Sequence, residues 1–169
     1  AIITIHHSGS SYRARALIDP GSEASFISQK IFNILKLPYE KMSAQISGLN
    51  GTVNINTNKC SEFIIGSVHN TDIRLSARAI VVPKISGFLP SHSFDISKHE
   101  NLPKLQYADE KFYNSGDVDI LIGGDLYPAI ILGGVKHNIL GSLLAQQTVF
   151  GWILTGPIPE NHNTNTSTK

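Results

Sequence analysis

The placement of the β-branched residues is what most limits the folds open to this chain. It carries 22 isoleucines and 7 valines against 10 alanines, and they fall in short runs broken by Gly, Pro, Asn and Ser. Side chains branched at Cβ are stiff at χ1 and pack well on a pleated surface. Runs this brief, punctuated this often, read as strands and turns with little space for long helices. With 169 residues, 41% hydrophobic, the chain can bury the core of one domain. Its charged share of 16% excludes a disordered polyelectrolyte.

Charge and cysteine content exclude further classes. A net charge of +1, from 14 basic and 13 acidic residues, gives no electrostatic reason to expect nucleic acid or an anionic membrane as partner. No apolar run approaches the ~20 residues of a membrane span. The single Cys60 rules out a disulfide framework within the chain and a cysteine zinc site, and suits a reducing, cytoplasmic setting. The chain opens at Ala1 and its only methionine is Met42, so it reads as a piece of a longer or processed protein, without a signal peptide.

Along the chain, residues 1–18 predict two strands around a turn at 6–11. Residues 24–27 predict a short strand. Ser28 caps a predicted helix with Ile31, Ile34 and Leu35 on one face, ending before Pro38. Residues 46–53, with Gly48-Leu49-Asn50-Gly51 at the tip, carry a hairpin signal. Further strands are expected at 53–65 and 73–82. Residues 84–117, with Pro90 and Pro103 and little periodicity, predict a long irregular insertion with one helical turn near Asp109. A buried strand at 118–122 then runs into Gly123-Gly124-Asp125, followed by a short helix at 126–132 and a last strand at 148–154. Residues 158–169 are polar enough for a tail or linker, which assigns the domain to 1–157.

The chemically informative segment is Ala16-Leu17-Ile18-Asp19-Pro20-Gly21-Ser22. An apolar strand delivers a carboxylate at its end, and Gly21 lets the backbone turn beneath it with no Cβ in the way. Asp-Pro-Gly is also a good β-turn sequence, so this segment alone leaves an unrelated β-rich binding domain open. Taken with the glycine-tipped hairpin at 48–51 and the apolar run Leu121-Ile122-Gly123, it resembles the layout of retropepsin-type aspartic proteases. The resemblance extends to the protease region of Bel/Pao-type LTR retrotransposon polyproteins. It is carried by Gly21-Ser22-Glu23-Ala24-Ser25-Phe26-Ile27, Val82-Pro83-Lys84-Ile85-Ser86-Gly87-Phe88-Leu89-Pro90, residues 119–127, and Thr148-Val149-Phe150-Gly151-Trp152-Ile153-Leu154-Thr155-Gly156.

The resemblance implies a mainly β, closed retropepsin-like barrel with one or two short helices. It implies an endopeptidase acting on peptide or polyprotein substrates, with Asp19 catalytic, Gly21 and Ser22 beside substrate, and Gly48, Leu49, Asn50 and Gly51 at the tip of a closing flap. The chemistry requires no metal and no cofactor. Two carboxylates that share one proton activate water between them. Asp72, Asp95, Asp109, Asp117, Asp119 and Asp125 all lack the following glycine, so the second carboxylate must come from a second copy of the chain. The terminal segments 2–5 and 148–153 are the expected interface strands.

One residue departs from the pattern. The family places Ser or Thr between aspartate and glycine, whereas Pro20 stands here, with neither hydroxyl nor N–H. The alternative function is therefore a degenerate protease-fold domain that dimerises or binds peptide, unless Ser22 compensates by hydrogen bonding the Asp19 carboxylate. Elsewhere the bland readings stand. His6 and His7 point to opposite faces of a strand and do not chelate. Gly123-Gly124 and Gly133-Gly134 lack nucleotide-loop spacing. Asp125 reads as a helix cap or a partner of Arg13 or Arg15, with general acid as the chemical alternative. Asn165-Thr166-Ser167 is a formal glycosylation acceptor, meaningful only after secretion.

Overall fold

The chain is described here from a computed structural model, which covers residues 1–42, 46–48, 51–53, 59–99 and 102–157. Strands β1 (Ile2–His7) and β2 (Ser10–Ile18) form an antiparallel hairpin. Its connection, Ser8-Gly9, has positive φ at both residues (47° and 78°), the backbone a two-residue hairpin turn demands. Alternation does the rest: Ile3, Ile5, Ala14 and Ala16 are buried, while Thr4, His6, Arg13 and Arg15 face outward.

Strand β3 (Ser25–Ser28) leads into helix α1 (Gln29–Leu35). The Ser28 side chain caps the helix by accepting from the Ile31 N–H at 3.4 Å. Lys36 in the left-handed region ends it. The buried face is Ile31 and Phe32, while Ile34 is 52% exposed. The expected face is thus rotated, because α1 rests on β3 and β8 through its first turn. Strand β4 (Glu40–Lys41) follows, then β5 (Ile46–Gly48) and β6 (Gly51–Val53) as a separate hairpin, β7 (Lys59–Ser67) and β8 (Arg74–Val82). After the insertion come β9 (Ile120–Ile122), α2 (Tyr127–Ile130), β10 (Ile131–Lys136), β11 (Leu144–Thr148) and β12 (Gly151–Thr155).

Six strands in the order β1-β2-β9-β3-β8-β7 close into a barrel through the pairing of β1 with β7. At 44% strand and 10% helix the protein is mainly β, as its β-branched composition predicts. Ile3, Ile5, Ile27, Ile65, Ile120 and Ile122 are all fully buried inside. Each such side chain contributes about 1.5–3 kcal/mol of hydrophobic stabilisation. Among the described residues, no helix is long and apolar enough to cross a membrane.

Three local expectations need correction. The last strand divides into β11 and β12, antiparallel to each other, and β10 adds a third strand through Gly133-Gly134. In the insertion the helical turn lies at Ile96–Lys98, whereas the Asp109 carbonyl accepts from Phe112 N–H in a simple turn. The segment 2–5 is not an interface edge. Strand β1 is hydrogen-bonded on both sides within the chain, to β2 and β7. The middle of β12 is likewise covered, because Trp152 exchanges backbone bonds with Gln106 and Ala108.

Arg15 ties the insertion to the barrel, beside the backbone bonds from Ile2 N–H to the Ala108 carbonyl and between Trp152 and residues 106 and 108. Arg15 Nε and Nη2 both reach Asp109 Oδ2 at 2.8 Å, and Nη1 donates to the carbonyls of Leu89 (3.0 Å) and Asn114 (2.9 Å). Phe94, Tyr107, Phe112 and Tyr113 then stack edge-on or tilted, at ring spacings of 5.1–6.3 Å, giving this irregular segment a small core of its own.

Candidate functional site

Strand β9 runs between β2 and β3, parallel to the first and antiparallel to the second. The turn 19–24 must therefore step across the end of β9 to reach β3. Asp19 opens that turn. Its N–H donates to the Ile122 carbonyl at 2.9 Å, and its carbonyl accepts from Ser22 N–H at 3.1 Å. Gly21 N–H donates to Asp19 Oδ1 at 3.0 Å. A Cβ on Gly21 would stand 3.2 Å from that same oxygen, which is the close approach the sequence anticipates. Asp19 is half-buried, with Pro20 and Gly21 exposed beside it.

The turn is stapled to the β9 end by a polar lattice. Gly124 N–H donates to the Ser22 carbonyl at 2.7 Å, and Gly123 N–H to Ser25 Oγ at 3.0 Å. Ser25 Oγ–H in turn donates to Asp125 Oδ1 at 2.7 Å, and Ser25 N–H to Oδ2 at 3.3 Å. Ser25 is buried, 1% exposed. Sequence reasoning passed over it; a serine inside the apolar run 24–27 was the available signal. Asp125, which also accepts from Leu126 N–H at 3.0 Å, pairs with neither arginine.

Ser22 does not support the catalytic candidate in the expected way. Its Oγ donates to the Ala24 carbonyl at 2.8 Å, which commits the hydroxyl proton within the turn itself. Three aspartates on or beside the same strands are already committed to partners within the chain. Asp125 is held by Ser25, Asp119 accepts from Arg15 N–H at 2.9 Å, and Asp109 is paired with the Arg15 guanidinium. Asp19, Gly21 and Ser22 are thus brought together in one turn. Gly48 pairs with Gly51 in a hairpin outside the barrel sheet, and Leu49 and Asn50 lie outside the described residues, as does the segment 158–169.

Gly123 is the residue the crossing depends on. A Cβ there would sit 2.4 Å from the Ala24 carbonyl oxygen and 2.9 Å from that of Ser22, contacts that only a backbone shift can relieve. Gly123→Ala should therefore destabilise the protein by about 1–3 kcal/mol, read as a drop of several degrees in the thermal midpoint. An unchanged midpoint would mean that the turn and β9 are not packed as described.

Among the described residues, no three His, Cys, Asp or Glu side chains gather in a way that would hold a metal ion. Cys60 is buried, and burial pushes its thiol up from the ordinary range, so it offers no ready nucleophile. No family model matches the chain, and no curated protein matches it either.

Proposed function

We propose that the chain is one half of a retropepsin-type aspartic endopeptidase, and that its work is the processing of a retroelement polyprotein. The reading rests on the Asp19 turn. A half-buried carboxylate closes a barrel strand, takes one N–H from the glycine two residues on, and is braced by the Ile122-Gly123 strand passing beneath. The resemblance of the surrounding motifs supports the same conclusion.

In this reading two copies meet so that their Asp19 carboxylates face each other across a two-fold axis. Like charges at that spacing do not both ionise, so the pair holds one proton. The ionised member draws a proton from the bridging water as it attacks the scissile carbonyl. The protonated member donates to the carbonyl oxygen, and the pair titrates as a unit. The commitment of Asp109, Asp119 and Asp125 to internal partners supports the need for a second chain. The hairpin 46–53 supplies the flap over the peptide. Cleavage of an unfolded protein substrate, blocked by a statine-type transition-state analogue, tests this reading. Absence of cleavage at every pH between the usual carboxylate values and neutrality would refute it.

Pro20 favours a second reading, a degenerate copy that retains the fold as a dimerisation or peptide-binding module. It lacks the hydroxyl and N–H that would tie one catalytic turn to its partner's. Pro20→Thr restores both on each chain. At about 0.5–1.5 kcal/mol per hydrogen bond, recovering half of them tightens the dimer by roughly one to two powers of ten. Sedimentation of the wild type and the variant at matched concentrations measures the change. Equal dissociation constants would show that the missing clamp does not limit assembly.

A further inference from the structure

On the outer face of the barrel, far along the strands from the Asp19 turn, the register lines up four residues across neighbouring strands. Arg13 on β2 pairs with Thr4 on β1, Thr4 with Gly66 on β7, and Gly66 with Arg74 on β8. The row thus carries an arginine at each end, a hydroxyl, and a glycine with no side chain between. A depression of about 350 Å³ opens over the row, lined also by His6, Ser11 and Thr71. Gly66 lets the Thr4 and His6 side chains lie close over β7 as the floor of the depression. A Cβ on Gly66 would lie 2.8 Å from Thr4 Oγ1, 2.9 Å from the Ile73 carbonyl oxygen and 3.1 Å from His6 Nε2.

No acidic residue lines this recess. Neither the Arg13 nor the Arg74 side chain is hydrogen-bonded or ion-paired to any described residue. That sets them apart from Arg15 and Arg78, which hold Asp109 and the Glu40 and Glu62 carboxylates. With strands about 4.8 Å apart, three strand steps, roughly 14 Å measured along the curved sheet, separate the two arginines. Both arginine side chains line the same depression. Thr4 Oγ1 and His6 Nε2 are hydrogen-bonded to each other at 2.8 Å on the floor. Burial, and then the charge of Arg74, hold the His6 imidazole below its ordinary pKa, as expected of a ring in a positive field.

We infer that this recess is a binding site for a phosphate-type oxyanion. Guanidinium forks present paired N–H donors that match phosphate oxygens, and the Ser11 and Thr71 hydroxyls supply further donors at the rim. The site is separate from the Asp19 turn and does not depend on the peptidase reading.

The test is a titration of the whole chain with inorganic phosphate at fixed ionic strength, followed by calorimetry. Adenosine monophosphate serves as a second ligand. One saturable site is expected. Arg13→Gln and Arg74→Gln should each weaken it about tenfold, and the double variant should lose it. Lys98→Gln, on the insertion, should bind as the wild type does. Binding of phosphate itself assigns the site to the free ion. Binding of the monophosphate alone assigns it to phosphate carried on a larger molecule, and both outcomes support the oxyanion site. No saturable binding of either ligand, or a double variant that binds like the wild type, would overturn it.

Discussion

Asp19→Asn should remove peptide cleavage while leaving the fold intact. Asparagine matches aspartate in shape, and its Oδ1 can still accept the Gly21 N–H that the carboxylate accepts now at 3.0 Å. What it cannot do is hold the negative charge that draws a proton from water, or share a proton with its partner's carboxylate. General acid–base groups contribute on the order of 10²–10⁴-fold to rate. The variant loses both roles at once in a symmetric pair, so the fall should be at the upper end of that range or beyond. Turnover of a peptide substrate and the thermal midpoint, measured side by side, check the claim. Undiminished turnover would remove Asp19 from the chemistry.

Arg15→Met should cost the protein about 3 kcal/mol or more, by stranding the Asp109 carboxylate and loosening the insertion's hold on the barrel. The Asp109 side chain is 9% exposed and that of Arg15 18%, so this pair is far from the solvent-screened surface case. Removing the guanidinium leaves a desolvated carboxylate, a loss typically worth ~3–5 kcal/mol when a buried pair is broken. It also takes the donor from the Leu89 and Asn114 carbonyls. Adding Asp109→Asn to Arg15→Met should recover part of the loss, since the stranded charge is gone and the amide oxygen can still accept from Lys111 N–H. Urea unfolding of the single and double variants reads both changes. Additive losses would mean that the two side chains are not coupled.

The parts of this fold legible in the sequence are those with local causes. The alternation in β1 and β2, the Ser8-Gly9 turn and the Ser28 cap each follow from a few adjacent residues. The Asp19 turn was legible too, because a carboxylate at a strand end followed by glycine is a short-range pattern. Strand β10 carries no strand signal in the sequence, because Gly133-Gly134 interrupts its apolar run. Gly134 is in fact where Gln147 and Trp152 crowd across the sheet, since a Cβ there would stand within 3.0 Å of both. Strand β11, with Ala145-Gln146-Gln147, lacked the apolar weight that marks a strand. The Arg15–Asp109 tie joins residues 94 positions apart, and the Ser25–Asp125 bond spans 100. No local pattern encodes such pairs. That Ser22 could compensate for Pro20 by bonding the Asp19 carboxylate rests on its place just after the motif, whereas in the folded turn its hydroxyl donates to the Ala24 carbonyl.

The central claim is that one active site needs two copies of Asp19, and mixing tests it most directly. Wild type and Asp19→Asn are unfolded together, refolded in equal amounts, and assayed at the total concentration of a wild-type control. If mixed dimers form at random and are inactive, activity falls to roughly a quarter of the control, the share of all-wild-type dimers. Activity at roughly half the control, as independent single-chain sites would give, would contradict the account, and so would an absence of cleavage in the control itself.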